Sequence, residues 1–211
     1  MVGYLRCETI VTTKFSQPND MNGLVRVFVR APNECTAIQL ADFKALLLAG
    51  GEVTADGLED RIRSAVRLVF LSVGCCLRGI AALKRPLTSY RRRVAAKSGV
   101  LLSVEEYPFE LGWVFLMPSA RGRKFSLDLT SAALATASTC GVFATSRTDN
   151  VGMHATLARG GFLPAGKLFS SDRGKHQLQL FLRKTMGRSI PSGAAGNYIT
   201  RRKMKKANAD A

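Results

Sequence analysis

A short basic turn between a predicted strand and a predicted helix has the composition of a phosphate-binding site. Segment 121–124 reads Arg-Gly-Arg-Lys, and a helix rich in Leu and Ala is predicted from Phe125. The first N–H groups of a helix have no intrahelical partner, and the helix dipole is positive at that end. Three cationic side chains add to this potential. The turn can therefore bind a phosphate, although a solvent-exposed basic loop is the commoner structure for such a sequence.

Hydrophobic patterns predict the elements that position this turn. A bulky apolar run at 111–117 predicts a strand, which Pro118 ends because proline has no N–H to donate. Apolar periodicity broken by Gly and Pro predicts the other elements. Strands are predicted at 24–30, 66–73, 77–83, 141–145, 162–170 and 177–183, with weaker candidates at 7–15 and 100–104. Helices are predicted at 36–48, 54–65, 88–97, 125–138 and 151–159, the last capped by Asp149. This order indicates an α/β fold, a mixed sheet with helices on both faces.

Composition and charge restrict the class of protein. The chain has 211 residues, of which 46% are hydrophobic and 22% charged, as is typical of one globular domain. It has no run of 18 apolar residues and no signal-peptide core, which indicates a cytoplasmic protein without a membrane segment. Five cysteines without metal-site spacing indicate reduced thiols, and the isolated His154 and His176 do not indicate a metal. The net charge of +16 favours an anionic partner, either nucleic acid, a ribosomal surface or a phosphate-bearing cofactor.

Three stretches, VFLSVGCCLRGIAALK, WVFLMPSARGRKFS and FATSRTDNVGMHATLARGGFLPAG, lie between residues 66 and 183. Together they resemble the GNAT family of acetyl-CoA-dependent N-acetyltransferases. The family's second and third strands resemble the predicted hairpin VFLSVGCCLRGIAALK, with Gly79 where the family usually has glycine. Its motif A, an apolar strand followed by Arg/Gln-x-x-Gly-x-Gly/Ala, resembles WVFLMPSARGRKFS. Its motif B, an Asn before a helix and Gly-Phe after it, resembles FATSRTDNVGMHATLARGGFLPAG. The order and spacing of the three stretches are more specific than any one of them.

The resemblance implies one GNAT-like domain at 23–185 with a mixed, mostly antiparallel central sheet. Segment 1–22 precedes it, and 186–211 is interpreted as a flexible basic tail. The resemblance also implies a site for acetyl-CoA. The backbone N–H of Leu116 would face the thioester oxygen, and the loop 121–126 would wrap the diphosphate. Cofactor-binding roles are thereby assigned to Leu116, Arg121, Gly122, Arg123, Lys124, Phe125, Ser126 and Asn150. Asn150 would contact the pantetheine or stabilise the loop that enters the last helix.

Two positions depart from the family's pattern. Lys124 and Ser126 stand where the family has glycines, which allow a ligand to approach the backbone closely. The loop is interpreted as adapted, and loss of cofactor binding is the alternative. Leu157 stands where many members have a tyrosine as general acid. The thiolate would then leave without help, or be protonated by another group such as Tyr107, Ser146 or His154.

The catalytic base is expected to be a carboxylate, because an amine must lose a proton before it attacks a thioester. Glu110, at the start of the central strand, is the catalytic candidate, and Glu105 and Glu106 are alternatives. The basic run 91–93 is interpreted as the exposed face of a surface helix, or as a contact for the adenosine 3′-phosphate or an acidic substrate.

Two functions remain open at the level of sequence. In the first, the protein moves an acetyl group from acetyl-CoA directly to the amine of a small molecule, a peptide or an aminoacyl-tRNA. In the second, it keeps the fold without the chemistry and binds nucleic acid or the ribosome through its basic surface and tail. A homodimer is one alternative for its oligomeric state.

Overall fold

In the part of the chain that the structure describes, seven strands form one sheet around which the helices pack. The computed structural model describes residues 23–184, and the strand order is β1-β2-β3-β4-β5-β7-β6. The strands are β1 (Val25–Arg30), β2 (Arg67–Val73), β3 (Cys76–Lys84), β4 (Phe109–Leu116), β5 (Val142–Arg147), β6 (Leu163–Ser170) and β7 (Gln177–Arg183). All neighbouring strands are antiparallel except β4 and β5, which run parallel. The predicted mixed, mostly antiparallel sheet is therefore confirmed.

Among residues 23–184, five α-helices cover both faces of the sheet, as predicted. They are α1 (Ala37–Ala49), α2 (Leu58–Arg63), α3 (Thr88–Ser98), α4 (Phe125–Thr136) and α5 (Val151–Arg159). Helices α4 and α5 pack on one face, where Leu129 and Leu157 are fully buried. Helices α1, α2 and α3 pack on the opposite face, where Phe43, Ile62 and Val94 are buried. Strand side chains alternate between these two layers, as the two-residue period of a strand requires.

The structure corrects two predicted elements, a strand that does not form and a helix that begins later than expected. Segment 100–104 is not a strand, because its carbonyl groups accept hydrogen bonds from the side chain of Arg91 instead of a neighbouring strand. The helix predicted at 54–65 begins only at Leu58, because Gly57 has φ of +58° and turns the chain at its N-cap.

Two side chains also differ from expectation. Asn150, and not Asp149, caps α5, because the carboxylate of Asp149 pairs with the guanidinium of Arg147 at 2.8 Å. Arg91 is not part of an exposed face, since only 5% of its surface is accessible. The guanidinium of Arg93 pairs with Asp172 at 2.8 Å. The exposed basic face predicted for α3 therefore loses Arg91 to the interior.

The predicted strand at 7–15 and the predicted basic tail at 186–211 lie outside the described residues. None of the helices between residues 23 and 184 has the length and hydrophobicity that crossing a membrane requires.

Candidate active site

A gap opens in the middle of the sheet because β4 and β5 separate soon after they meet. Only two residue pairs join them, Phe109 with Val142 and Glu110 with Phe143. Beyond Glu110 the two strands continue without pairing. Residues 112–116 of β4 and the next residue, Met117, are only half-buried, although β4 is the central strand of the sheet. The central strand thus leaves one edge open to a ligand over about six residues.

A bulge in β4 lies next to this gap. Ile80 of β3 is paired with Phe115 and Ala82 with Gly112, so two residues of β4, Trp113 and Val114, lie opposite one residue of β3. Trp113 has φ of +57°, a left-handed conformation that is costly for a non-glycine residue. The bulge interrupts the ladder at the point where the strands diverge.

The backbone of Leu116 is directed toward the gap. The N–H of Met117 donates to the carbonyl of Arg78 on β3 at 2.9 Å. Because hydrogen-bonded and non-bonded residues alternate along an antiparallel pair, Leu116 turns its N–H and C=O away from β3. Its carbonyl accepts from Nε of Arg121 at 3.3 Å, which links the end of β4 to the basic turn.

The basic turn has the backbone geometry of an anion site. A short 3-10 turn at Pro118–Ala120 leads into it, and Gly122 has φ of +77° with open space where a Cβ would lie. Lys124 adopts φ of +64° at the N-cap of α4, and its side chain makes no capping hydrogen bond. The structure thus explains why glycine suits position 124. Lys124 meets the same backbone requirement at a cost of about 1–2 kcal/mol. The first N–H groups of α4 are not capped by this side chain.

Ser126 and Asn150 have structural partners at the starts of α4 and α5. The Ser126 hydroxyl lies 2.9 Å from Oγ1 of Thr156, and Thr156 donates to the carbonyl of Gly152 at 2.9 Å. Ser126 is then the donor to Thr156, since a threonine hydroxyl has one proton. Oδ1 of Asn150 accepts from the N–H of Met153 at 3.1 Å. Of the two roles expected for Asn150, this geometry favours stabilisation of the helix entry.

Glu110 lies where the two strands diverge, on the face covered by α1, α2 and α3. It is 5% exposed, and one carboxylate oxygen lies 3.0 Å from Nζ of Lys84, its cross-strand partner on β3. The other oxygen accepts from the hydroxyl of Tyr90 at 3.2 Å, and that hydroxyl also lies 3.3 Å from Oγ1 of Thr145 on β5. Burial, and next the charge of Glu110, raises the pKa of Tyr90, so the phenol stays protonated. Tyr90 therefore connects both diverging strands to α3.

The alternative acids and bases are less well placed. Glu105 and Glu106 are exposed in a turn before β4. Tyr107 is 2% exposed within the core under α3, and burial raises its pKa to about 12. Nε2 of His154 lies 2.9 Å from the carbonyl of Arg147, which occupies one ring nitrogen.

The last candidate acid, Ser146, and the position of the family's tyrosine, Leu157, lie on the α4–α5 side of the sheet. Ser146 is buried and its hydroxyl donates to the carbonyl of Arg147 at 3.4 Å. Leu157 is fully buried in the core of that layer, so the position of the family's tyrosine carries no proton here.

Several residues near the gap were not found from the sequence. Lys84 and Tyr90 contact Glu110, and Thr145 contacts Tyr90, only because of strand register and the packing of α3, which no local motif encodes. On the same face, the loop after α1 contacts the end of β5 and the β6–β7 turn. The carboxylate of Glu52 lies 3.1 Å from a guanidinium nitrogen of Arg147, and its backbone carbonyl accepts from Arg173 at 3.0 Å.

The seven-stranded mixed sheet with its helices is similar in fold to solved structures of an acyl-CoA N-acyltransferase and of several acetyltransferases. A GNAT-family acetyltransferase from Bacillus cereus has a TM-score of 0.51 and 15% identity, covering 76% of this chain and 99% of that chain. The putative acetyltransferase yncA from Salmonella typhimurium, solved with its cofactor acetyl-CoA, has a TM-score of 0.52 and 10% identity, covering 80% and 99%. NAA60 from Arabidopsis thaliana, solved with a bisubstrate analogue, has a TM-score of 0.54 and 12% identity, covering 75% and 97%.

At these identities the similarity establishes the fold, and the predicted resemblance to the GNAT family is confirmed at that level. No protein-family model and no curated protein matches the sequence.

Proposed function

We propose that this protein is an N-acetyltransferase that transfers an acetyl group from acetyl-CoA directly to an amine. The observation that carries the proposal is the opening between β4 and β5 beside the basic N-terminus of α4. An open strand edge can hydrogen-bond an extended amide chain, and a helix N-terminus can bind a diphosphate. Pantetheine and diphosphate are adjacent parts of coenzyme A, in the same order as these two features along the chain.

The turn at 121–126 would hold the diphosphate. Arg121, Arg123 and Lys124 supply positive charge, and Gly122 leaves the backbone accessible. The N–H groups of Phe125 and Ser126 begin α4 and point along the positive end of its dipole. Ser126 gives its proton to Thr156, so its contribution to a phosphate is its backbone N–H. These residues would therefore offer a diphosphate both positive charge and backbone N–H groups.

The backbone of β4 would orient the thioester and the pantetheine arm. Leu116 lies six residues beyond Glu110, about 20 Å along an extended strand before the bulge shortens it. That separation is too long for Glu110 to act on an amine that attacks at Leu116. Val114, in the bulge, lies closer to Glu110. We assign the N–H of Val114 to the thioester oxygen and the N–H of Leu116 to an amide of the pantetheine.

Glu110 would take the proton of the acceptor amine. Bound acetyl-CoA supplies an activated acyl group whose thiolate leaves on aminolysis. Glu110 is a buried carboxylate at the closed end of the gap, and Tyr90 fixes one of its oxygens. Proton transfer by a positioned carboxylate contributes about 100-fold or more to such a reaction. Of the groups considered as the acid for the thiolate, Tyr107 is buried in the core, Ser146 donates its proton to the carbonyl of Arg147, and Nε2 of His154 lies against the same carbonyl. Departure of the thiolate without a dedicated acid is therefore favoured.

The acceptor would enter on the face of the sheet that carries Glu110. The loop after α1 and the β6–β7 turn meet there through Glu52 and Arg173. An amine of a small molecule or at the end of a peptide fits this description. No observation on residues 23–184 favours the alternative of an inactive module that binds nucleic acid or the ribosome.

Calorimetry with coenzyme A tests the site for the diphosphate. Arg121→Glu should weaken binding by about 10-fold or more, because it replaces a favourable charge contact with a repulsive one. Arg92→Glu makes the same charge change at an exposed site on α3, on the opposite face of the sheet, and should bind normally. Absence of binding by the wild-type protein at millimolar coenzyme A would overturn the proposal, and equal loss in both variants would show a non-specific charge effect.

Release of the coenzyme A thiol in the presence of candidate amines tests the chemistry. Glu110→Gln should lower kcat about 100-fold and leave coenzyme A affinity unchanged. Full activity of this variant would remove Glu110 from the mechanism.

A further inference from the structure

The ammonium group of Lys84 occupies the position that the acceptor amine would need. Its Nζ lies 3.0 Å from the carboxylate of Glu110 and 4.7 Å from the centre of the Trp113 ring. The Lys84 side chain is only 18% exposed and that of Glu110 only 7%. An amine that is to give its proton to Glu110 must approach the same oxygen atoms. Lys84 is therefore placed against the proposed base as a substrate would be.

Gly112 provides the space for this amine beside β4. A Cβ at position 112 would lie 2.7 Å from Nζ of Lys84 and 3.7 Å from Oε1 of Glu110. Any side chain there would displace the end of Lys84. Gly112 immediately precedes the bulge residues Trp113 and Val114, so the amine lies next to the part of β4 assigned to the thioester.

We propose that Lys84 is itself acetylated by this protein, an inference that rests on the proposed function. Glu110 takes a proton from the Lys84 ammonium, and the nitrogen lone pair attacks the acetyl carbonyl. The C–N bond forms as the C–S bond breaks, the first proton passes from Glu110 to the sulfur of coenzyme A, and a second proton leaves the nitrogen for solvent as the neutral amide forms. The product is N-acetylated Lys84 and free coenzyme A, with no further reactant. The modification removes the positive charge beside Glu110 and so frees the carboxylate for an external amine.

Lys97 provides a matched comparison for Lys84. It also pairs with a carboxylate, that of Asp172, and its side chain is 33% exposed. It lies on α3 against the β6–β7 turn, where it also donates to the carbonyl of Ser170, and not beside the gap. A reaction directed by the site modifies Lys84, whereas spontaneous acetylation favours the more exposed Lys97.

Mass spectrometry of the intact protein and its peptides after incubation with acetyl-CoA tests the proposal. The expected result is one acetyl group, on Lys84, formed at a rate independent of protein concentration. Lys84→Arg and Glu110→Gln should abolish it, and Lys97→Arg should leave it unchanged. An acetyl group present on Lys84 before incubation supports the proposal only if the Glu110→Gln variant lacks it. An unmodified Lys84, or acetylation spread equally over exposed lysines, overturns it.

A variant that moves the amine without touching either charged group gives a second test. Gly112→Ala should displace Lys84 and prevent its acetylation, because the flexible end of the lysine yields to the new methyl group. In the protein without cofactor, nuclear magnetic resonance should show the ring-current shift of the Lys84 ε-methylene over Trp113, and this shift should be lost in Gly112→Ala. A wild-type Lys84 without that shift contradicts the placement. Calorimetry and the thiol-release assay together separate the two proposals. If coenzyme A binds and amines are acetylated while Lys84 is not, only the inference about Lys84 is wrong.

Discussion

Arg91→Ala should lower the free energy of unfolding by about 3 kcal/mol, because Arg91 fixes the segment that leads into β4. The side chain is 5% exposed, and Nη1 donates to the carbonyl of Tyr107 at 2.6 Å. Longer contacts of 3.3–3.4 Å reach the carbonyls of Leu102, Ser103 and Pro108. One guanidinium thus supplies donors to a stretch of chain that forms neither strand nor helix.

The magnitude follows from two kinds of contact. A hydrogen bond from a charged donor contributes about 1.5–3 kcal/mol, and only the bond to Tyr107 is short enough to count fully. The guanidinium also lies 5.4 Å from the centre of the Phe143 ring, a cation–π contact of about 1–2 kcal/mol when desolvated. Burial lowers the pKa of Arg91, but arginine starts so high that it stays charged at neutral pH. Together these contacts give about 3 kcal/mol.

Thermal unfolding followed by circular dichroism measures this loss. For a domain of this size, 3 kcal/mol corresponds to a fall in Tm of about 6–12 °C. Arg92→Ala is the control. The Arg92 side chain is exposed, so its removal should change the free energy of unfolding by less than about 0.5 kcal/mol. If both variants melt within about 2 °C of wild type, the buried guanidinium does not hold the segment, and the reasoning is wrong.

Three further predictions concern a hydroxyl at the opening, a buried tyrosine and two glycines with positive φ. Tyr90→Phe removes the hydroxyl that bridges the diverging strands and should lower kcat about 10-fold without changing coenzyme A affinity. Steady-state kinetics and calorimetry measure the two quantities. An unchanged kcat would limit the role of Tyr90 to packing. Because burial raises the pKa of Tyr107 from near 10 to about 12, the folded state holds a proton that the unfolded state loses, so stability should decline between about pH 10 and 12. Tyr107→Phe should reduce that decline in alkaline denaturant melts, and an identical pH dependence would contradict the assignment. Gly166→Ala should lower the free energy of unfolding by more than 2 kcal/mol, because the new Cβ would lie 2.3 Å from the carbonyl oxygen of Ser98. Gly122→Ala should lower it by only about 1 kcal/mol, because Gly122 has a positive φ but open space around it. Equal melting temperatures of the two variants would refute this difference.

The elements of this fold were predictable because local signals mark them. Apolar runs broken at Gly74 and Pro86 predict the β2–β3 hairpin, and the structure places it there. Pro118 ends β4 and Phe125 begins α4 at the expected positions. The motif resemblance then implied a mostly antiparallel sheet, which periodicity alone does not contain.

The partners at the candidate site were not predictable for a physical reason. Lys84 and Glu110 meet because β3 and β4 pair in one register, and a shift by one residue would place them on opposite faces. Arg91 belongs to a run of three arginines, and sequence does not show which of them turns inward. The capping error at α5 has a similar cause: Asp149 and Asn150 are both good caps, and the pairing of Asp149 with Arg147 decides between them.

The two residue pairs between β4 and β5 make the sheet mechanically weak along one line. Four strands lie on one side of that line and three on the other, and α3 crosses it through the hydroxyl of Tyr90. A ligand bound in the opening would supply the contacts that β4 and β5 lack and so connect the two parts of the sheet. We therefore expect coenzyme A to slow amide hydrogen exchange in both strands that border the opening, β4 and β5, and to make unfolding more cooperative.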